Sequence, residues 1–199
     1  MSAQTLELRK SIRSQRRKLS IFQQRKNEIS TLKHLRAFIT QKKHHKIGLY
    51  LDAFGEIYTH DILLYCFTHH KKVYLPMICP MNQTLVWVHI TKNQYLNQRF
   101  SRHHLGMLEP MASRGMHVSH LDLLIMPLLA CDAQGTRMGM GGGFYDRTLA
   151  RAPYKPFRIG LGHNFQYLNT HLQRQSWDQP LDLFISPRKI YSFKRHNGQ

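Results

Sequence analysis

Several features that define other classes of protein are scarce or missing in this sequence. Cysteine occurs only three times in 199 residues, at widely separated positions, with neither a Cys-x-x-Cys pair nor zinc-finger histidine spacing. No apolar run approaches the length of a membrane span, and the N-terminus lacks the apolar core of a signal peptide. We therefore predict a cytoplasmic protein without a membrane partner, whose cysteines are buried free thiols.

Acidic residues are also few, since 11 Asp and Glu stand against 29 Lys and Arg, for a formal net charge of +18. Thirteen of the basic residues and two of the acidic ones lie within the first 46 positions. A basic segment attracts polyanions, so a nucleic-acid-binding protein that uses these residues is an alternative. The motifs of nucleic-acid-binding modules are missing, however, and the same charges suit the solvated faces of helices.

Glycine, in contrast, is concentrated in one stretch. Residues 132–147 contain five of the twelve glycines and follow the buried-strand pattern of residues 121–127. They predict a loop whose backbone N–H groups converge on an anion, at the start of a helix near Phe144. Arg137 adds a guanidinium for phosphate oxygens, and Asp146 offers a carboxylate of the kind that Mg²⁺ prefers. The combination suggests a nucleoside triphosphate site, although a tight turn would also use glycines.

The stretch matches neither of two common nucleotide-binding motifs. No Lys-Ser or Lys-Thr follows its glycines, as in the P-loop, and Phe144 stands where the dinucleotide fingerprint has its third glycine. It resembles instead the signature of the 5-formyltetrahydrofolate cyclo-ligases, also called 5,10-methenyltetrahydrofolate synthetases. The residues that carry the resemblance are Gly135-x-Arg137-Met138-Gly139-x-Gly141-Gly142-Gly143-Phe144-Tyr145-Asp146-Arg147.

This resemblance extends in order from about Leu8 to Ser186 and implies a reaction. ATP and Mg²⁺ would serve the conversion of 5-formyltetrahydrofolate to 5,10-methenyltetrahydrofolate, with release of ADP and phosphate. Phosphorylation would make the formyl oxygen a leaving group, and N10 of the same folate would attack the formyl carbon. The protein would contribute positioning and electrostatic stabilisation rather than a nucleophile. We expect a monomer whose partner is the folate substrate and not nucleic acid.

The resemblance also implies the residues of the site. Arg137 and Tyr145 would act in catalysis, and Asp146 and Asp178 would hold Mg²⁺. The folate would contact Leu51, Glu56, Met140, Gly141, Gly142, Gly143 and Phe144. ATP would be bound by Arg9, Arg137, Met138, Gly139, Met140, Gly141, Gly142, Gly143, Phe144 and Tyr145.

Two of these residues have simpler interpretations. Glu56 would equally offset the dipole of a helix predicted over residues 59–70, and Asp178 would equally form a turn before Pro180. The chain also departs from residues that are common in the family at four positions. These departures change local contacts and leave the glycine stretch intact; they are Thr5 in place of Lys, Met140 in place of an aromatic residue, Phe144 in place of Tyr and Trp177 in place of His.

Hydrophobic patterns predict the fold. Two basic helices cover about residues 4–39, the first with a stripe of Leu8, Ile12 and Leu19 and the second opened by a capping box at Ser20 and Gln23. We expect the inward face of the second helix to contain Ile29, Leu32 and Phe38. The histidine pairs at 44–45, 69–70 and 103–104 are predicted to lie on the surface, because adjacent side chains point in different directions.

Strand patterns then alternate with helices. Strands are predicted at 47–51, 72–78, 84–90, 121–127, 157–162 and 183–186, with helices at 59–70 and 143–150. This alternation predicts a single domain over residues 1–199, an α/β fold in three α/β/α layers with a mostly parallel sheet. The family resemblance further implies a NagB/RpiA/CoA-transferase-like architecture.

Overall fold

A seven-stranded sheet forms the middle of the structure. The computed structural model describes residues 3–195, and its helices are α1 (Ala3–Arg17), α2 (Ile21–Ile39), α3 (His60–Thr68), α4 (Lys92–Leu96) and α5 (Phe144–Leu149). Its strands are β1 (Lys46–Gly48), β2 (Lys72–Cys79), β3 (Thr84–Ile90), β4 (Phe100–Arg102), β5 (Leu108–Pro110), β6 (Leu123–Pro127), β7 (Ala130–Asp132), β8 (Arg137–Met138), β9 (Phe157–Leu161), β10 (Tyr167–Leu168), β11 (Leu183–Ile185) and β12 (Ile190–Ser192).

The strand order of this sheet is β12-β11-β9-β6-β1-β2-β3. Five neighbouring strands, from β11 to β2, run parallel, while β3 and β12 pair antiparallel at the two edges. The predicted crossover from β6 to β9 is confirmed, with Leu123 opposite Phe157 and Pro127 opposite Leu161. A three-strand sheet (β10-β7-β8) and the hairpin β4-β5 complete the strand arrangement.

Both faces of the sheet are covered, which explains the continuous apolar pattern of β6. Leu123 and Ile125 point to one side, where they join a core with residues of α2 and α3. Leu124 and Met126 point to the other side, where they pack in a core with Leu149 of α5. The predicted three-layer α/β architecture with a mostly parallel sheet is therefore confirmed.

Helix α1 packs separately from these two cores. Its Ile12 is 1% exposed and lies in a cluster with Leu129, Ala130 and Met138 of the β7–β8 hairpin, and Leu8 packs on the same cluster. The predicted capping box of α2 is present, because Ser20 accepts from the backbone of Gln23 and the Gln23 side chain accepts from Ser20 N–H. Helix α1 therefore packs against residues at the start of the glycine-rich part of the chain.

Some details of the sequence prediction were wrong. Ile29 is 49% exposed, because the neighbouring residue Glu28 occupies the buried face of α2 in its place. The other buried residues of this face include Leu32, Leu35 and Ile39. Glu28 tolerates this inward position because its Oε1 accepts a 2.7 Å hydrogen bond from the N–H of Asp61. Phe38 is half-buried against the core, so only Leu32 lies fully inside as predicted.

Other corrections concern single residues. His44 is buried rather than on the surface, since its Nδ1 lies 2.7 Å from the Phe38 carbonyl oxygen and its ring faces Phe157. Cys66 and Cys131 are buried free thiols as predicted, while Cys79 is partly exposed. Within residues 3–195 no helix combines the length and the apolar character that crossing a membrane requires.

Candidate active site

The loops after β1 and β6 open a crevice in the sheet. From β1 the chain builds one side of the sheet through β2 and β3, then returns to build the other side through β6, β9 and β11. The connections after β1 and β6 therefore diverge, and this reversal of strand order is where ligands bind in open α/β sheets. Strand β1 ends at Gly48, shorter than the predicted strand, and the Tyr50 carbonyl turns to accept from the Thr59 hydroxyl at 2.9 Å.

A first cavity occupies this crevice, and we call it the inner cavity. Most of its lining is apolar, and its charged side chains are Glu56, Glu109, Arg137 and Asp146. The other lining residues are Tyr50, Leu51, Ala53, Phe54, Pro76, Ile78, Leu85, Met107, Leu108, Pro127, Leu128, Gly139, Met140, Gly142, Gly143, Phe144 and Tyr145. An apolar lining with a few charged groups is typical of a small-molecule binding site.

The glycine stretch forms one wall of this cavity. The sequence predicted a loop over its whole length, but its first part forms a β-hairpin. Strands β7 and β8 pair as an antiparallel hairpin, with Ala130 opposite Met138 and Cys131 opposite Arg137. Asp132 closes the turn, because its Oδ1 accepts from the N–H groups of Gln134 and Thr136 at 2.9 Å each. Arg137 therefore lies on a strand and is 7% exposed, whereas the sequence predicted that it lies on a loop.

The rest of the stretch, residues 139–143, is the glycine loop proper. Gly141 has φ +115° and Gly143 has φ +66°, which only glycine adopts without strain. Two arginines hold its tip: Arg13 Nη2 donates to the Met140 carbonyl at 3.1 Å, and Arg147 Nη2 donates to the Gly142 carbonyl at 2.6 Å. The helix that follows starts at Phe144 as predicted but has only six residues. A helix of this length has a small dipole, so an anion here would depend on arginine side chains and loop amides.

A second cavity lies on the other side of the glycine loop, and we call it the outer cavity. Its lining is mainly polar and contains Arg9 from α1, the loop residues Gly139, Gly141 and Gly143, and the segment that carries Asp178. The remaining lining residues are Gln4, Thr5, Leu8, Thr136, Arg137, Met138, Asp146, Thr170, His171, Leu172, Gln173, Gln175 and Trp177. The two cavities share four residues, namely Arg137, Gly139, Gly143 and Asp146.

Arg137 and Asp146 form the charged centre of the shared wall. Arg137 Nη2 donates to Asp146 Oδ1, and Arg137 Nη1 lies 3.0 Å from the Met126 sulfur. The guanidinium also lies over the Tyr145 ring, 5.5 Å from its centroid. Burial raises the pKa of Tyr145, so its hydroxyl stays protonated at neutral pH and can donate a hydrogen bond.

The donor set in the outer cavity fits Mg²⁺. Mg²⁺ commonly takes one or two protein carboxylates and completes its shell with phosphate oxygens and water. Asp146 and Asp178 line the same cavity, and Asp146 Oδ1 accepts from the N–H of Gln179 at 3.1 Å. Among residues 3–195 no group of three or more His, Cys, Asp or Glu is arranged to hold a metal alone. Asp178 also forms the turn that was its simpler interpretation, since its Oδ2 accepts from Gln175 N–H at 2.8 Å.

Glu56 belongs to the inner cavity rather than to α3. The first turn of α3 is served by Asp52, whose Oδ1 accepts from Thr59 N–H at 2.9 Å, and by Glu28. Glu56 instead accepts from the N–H of Ala53 at 3.1 Å and faces Arg16. Burial raises its pKa to about 7, with Arg16 acting in the opposite direction. Its interpretation as a helix-dipole residue was wrong.

The structure divides the predicted site residues between the two cavities. Arg9, Met138, Gly141 and Asp178 line only the outer cavity, whereas Leu51, Glu56, Met140, Gly142, Phe144 and Tyr145 line only the inner one. Met140, Gly142, Phe144 and Tyr145 were predicted to bind ATP, but they do not lie with Arg9, because the loop turns its neighbouring residues to opposite sides. Gly141 is likewise separated from the other predicted folate contacts.

Several lining or supporting residues were missed by the sequence analysis. Arg13 and Arg16 were counted only among the charges that suit the solvated faces of helices, and Tyr50 and Met107 were given no role. Glu109 was likewise given no role, and its Oε1 accepts from the N–H of Ile78 at 2.8 Å. The spacing of Arg9, Arg13 and Arg16 on one helix face was the signal that could have identified the arginines.

The fold and the cavities define a three-layer α/β protein with two ligand-sized cavities that meet at one glycine-rich wall. Residues 1–187 match the model of the 5-formyltetrahydrofolate cyclo-ligase family. A protein of that name from Haemophilus influenzae is 34% identical over 184 residues, which cover 88% of this chain and 93% of the relative. The one from Escherichia coli strain K12 is 31% identical over 186 residues, which cover 92% and 100%.

Solved structures agree with this relationship. The NMR structure of Aquifex aeolicus 5,10-methenyltetrahydrofolate synthetase aligns with a TM-score of 0.78 at 25% identity, covering 98% of this chain and 95% of that chain. A synthetase from Mycoplasma pneumoniae aligns with a TM-score of 0.71 at 20% identity and supports the fold. The chain therefore belongs to the 5-formyltetrahydrofolate cyclo-ligase family, as its signature predicted, and it is an enzyme.

Proposed function

We propose that this enzyme uses ATP and Mg²⁺ to convert 5-formyltetrahydrofolate to 5,10-methenyltetrahydrofolate, with ADP and phosphate as the other products. One observation carries the proposal: an apolar cavity and a polar cavity share a wall built from Arg137, Gly139, Gly143 and Asp146. A reaction that joins a heterocycle to a phosphate needs two such compartments with a common charged boundary. Family membership supports the same substrate class.

In this proposal the inner cavity holds the folate. The formyl oxygen attacks the γ-phosphorus of ATP, an O–P bond forms, and the bond to the bridging oxygen breaks so that ADP leaves with its electron pair. N10 then attacks the formyl carbon and loses its proton, and the C–O bond breaks with departure of phosphate. Because phosphoryl transfer needs alignment and charge neutralisation, no protein nucleophile is required.

The outer cavity would hold the nucleotide. Arg9, Arg137 and the amides of Gly139, Gly141 and Gly143 would face phosphate oxygens, where charge-assisted hydrogen bonds are strong. Asp146 and Asp178 would hold Mg²⁺, which neutralises charge between the β- and γ-phosphates when it is bound. Glu56 would accept hydrogen bonds from N–H groups of the folate, and Tyr145 would donate one.

The experiment that tests this function uses the purified protein with 5-formyltetrahydrofolate and MgATP. We expect the absorbance of the methenyl product to rise, with one ADP and one phosphate formed per methenyl group. Omission of ATP, or chelation of Mg²⁺, should stop the rise. Hydrolysis of ATP without methenyl product, or folate conversion without ATP, would contradict the proposal.

A further inference from the structure

Three arginines of α1 lie along one side of the helix and reach three parts of the site. Their spacing of four and three residues places Arg9, Arg13 and Arg16 on the same face. Arg9 lines the outer cavity, Arg13 donates to the Met140 carbonyl at the tip of the glycine loop, and Arg16 faces Glu56 of the inner cavity. The contact between Arg16 and Glu56 has no role in the proposed reaction itself.

Arg16 bridges the two sides of the crevice. Its Nη2 donates to the carbonyl of Leu128, which follows β6, and its Nη1 lies 3.8 Å from Oε1 of Glu56, in the loop after β1. Arg16 is only 2% exposed, and within residues 3–195 its Nε and Nη1 have no hydrogen-bond partner. Burial of a guanidinium with unsatisfied N–H groups lowers the free energy of unfolding, and removal of only one partner of a buried ion pair lowers it further. The position is therefore poorly explained by stability alone.

The Glu56 loop is held tightly around this contact. Glu56 Oε2 accepts from Ala53 N–H at 3.1 Å, and a Cβ atom at Gly55 would meet Arg16 Cβ at 3.0 Å. On the other side, His163 Nε2 lies 3.0 Å from the Gly55 carbonyl, and its Nδ1 lies 2.9 Å from Asn27 Nδ2. The carboxylate of Glu56 thus has little freedom except through movement of Arg16.

We propose that Arg16 is a positioning residue for the folate, which acts by fixing the direction and the charge of the Glu56 carboxylate. The inference rests on the proposed function, because it takes Glu56 as the acceptor of substrate N–H groups. Arg16 does not line the cavity itself, so it acts through Glu56 and not by touching the substrate. Helix α1 would then serve both cavities, with Arg9 toward the nucleotide and Arg16 toward the folate.

The test measures KM and kcat for both substrates in Arg16→Gln and Arg16→Lys. We expect Arg16→Gln to raise the KM for 5-formyltetrahydrofolate about tenfold and to leave the KM for ATP unchanged, since only the folate side loses an oriented group. Arg16→Lys, which keeps the charge, should recover most of this loss. Lys10→Gln on the same helix is the matched control, because Lys10 is exposed and lines neither cavity.

A double variant separates positioning from a purely structural role. If Arg16 acts through Glu56, Arg16→Gln should have no further effect on the folate KM in a Glu56→Gln background. Independent losses that add, or an equal rise of both KM values, would overturn the inference. If Arg16→Gln does not fold, Arg16→Lys carries the comparison: its smaller rise in the folate KM should disappear in the Glu56→Gln background, and a rise that persists there would overturn the inference. Absence of methenyl product from the unchanged protein would instead refute the proposed function, while folate affinity measured by calorimetry would still test Arg16.

Discussion

The inner and outer cavities differ in what their walls are made of, although the same short loop separates them. The inner cavity is lined mainly by apolar side chains from strands of the central sheet, from β5 and from the loop after β1, and two of its four charged side chains, Glu56 and Arg137, are buried. The outer cavity is lined by polar side chains of α1 and of the segment 170–178. A preformed apolar crevice suits a ring system, whereas a polar and partly exposed surface suits a polyanion with its counterion. Substitutions in the shared wall should change the kinetic constants for both substrates. Substitutions that affect only one cavity should change the KM of the substrate bound there.

The largest effect is expected at the shared wall. Asp146→Asn should lower kcat by about 100-fold or more, because a neutral amide would bind Mg²⁺ more weakly than a carboxylate and the charge on the phosphates would be less neutralised. The fold should survive, since the amide oxygen can still accept from Arg137 and from the N–H of Gln179. Product absorbance and circular dichroism check both parts, with Asp61→Asn as the control outside the cavities. Near-normal turnover would remove Asp146 from the metal site.

Two neighbouring glycines divide the cavities most sharply. Gly141 lines only the outer cavity and Gly142 only the inner one. Gly141→Val should raise the KM for ATP roughly tenfold or more, a change of about 1.4 kcal/mol in binding. Gly142→Ala should instead raise the folate KM, because the new Cβ would meet the Phe144 ring at 2.5 Å. Gly141→Ala, which shares the strain of the positive φ, controls for the backbone. Identical effects of both substitutions on both substrates would mean that the loop is only a turn.

The pH dependence should belong to the inner cavity. Glu56 has a pKa of about 7 and must be ionised to accept hydrogen bonds from the folate. Hence kcat/KM for 5-formyltetrahydrofolate should fall as the pH drops below about 7, by up to about tenfold per pH unit. The other groups near Glu56 do not titrate there: burial raises the pKa of Tyr50 and Tyr145 and lowers that of His163 to about 4.

The Glu56→Gln variant checks this assignment, because its kcat/KM should stay constant over the pH range in which that of the unchanged protein falls.

The raised pKa of Glu56 also makes a prediction for stability. The unfolded chain releases this proton near pH 4.5, so the contribution of Glu56 to stability is present below that pH and is lost as the pH rises toward 7. Urea denaturation at pH 5 and at pH 8 measures the difference. If Glu56→Gln leaves the pH dependence of kcat/KM or of stability unchanged, that pH dependence belongs to another group.

A smaller effect is expected from Trp177 in the outer cavity. The chain has two tryptophans, and Trp87 is 1% exposed while Trp177 is 63% exposed and lines the outer cavity. MgATP should therefore change tryptophan emission, and Trp177→Phe should remove the change while altering the KM for ATP only a few-fold. 5-Formyltetrahydrofolate is not expected to produce this change through Trp177. Emission that stays constant with MgATP would place the nucleotide elsewhere.

The smallest effect on turnover should come from the exposed basic residues. A triple variant, Lys10→Gln, Lys26→Gln and Lys33→Gln, removes charges that line neither cavity. It should leave kcat and both KM values unchanged and should weaken any salt-sensitive RNA binding by the unchanged protein. Turnover that falls together with RNA binding would indicate that this charge serves the enzyme rather than an accessory function.

The order of elements and the family were determined by the sequence. Apolar runs of strand length, the Ser20 capping box and the alternation of strands with helices depend on local periodicity and local hydrogen bonds, which a single sequence displays. The glycine signature likewise lies in consecutive residues. Predictions failed where the partner is distant in sequence. The exposure of Ile29 depends on how α2 is oriented against the sheet, and His44 is buried with its ring against Phe157 of β9.

Only the tertiary structure decided how the site is divided. Gly141 and Gly142 are adjacent in sequence but line different cavities, because the loop is one wall between two compartments. Glu56 and Arg16 are 40 residues apart and meet only because α1 crosses the reversal point of the sheet. Burial there raises the pKa of Glu56, an effect that depends on the removal of water and not on the residue type. Sequence determined which groups are present, and packing determined which of them face one another.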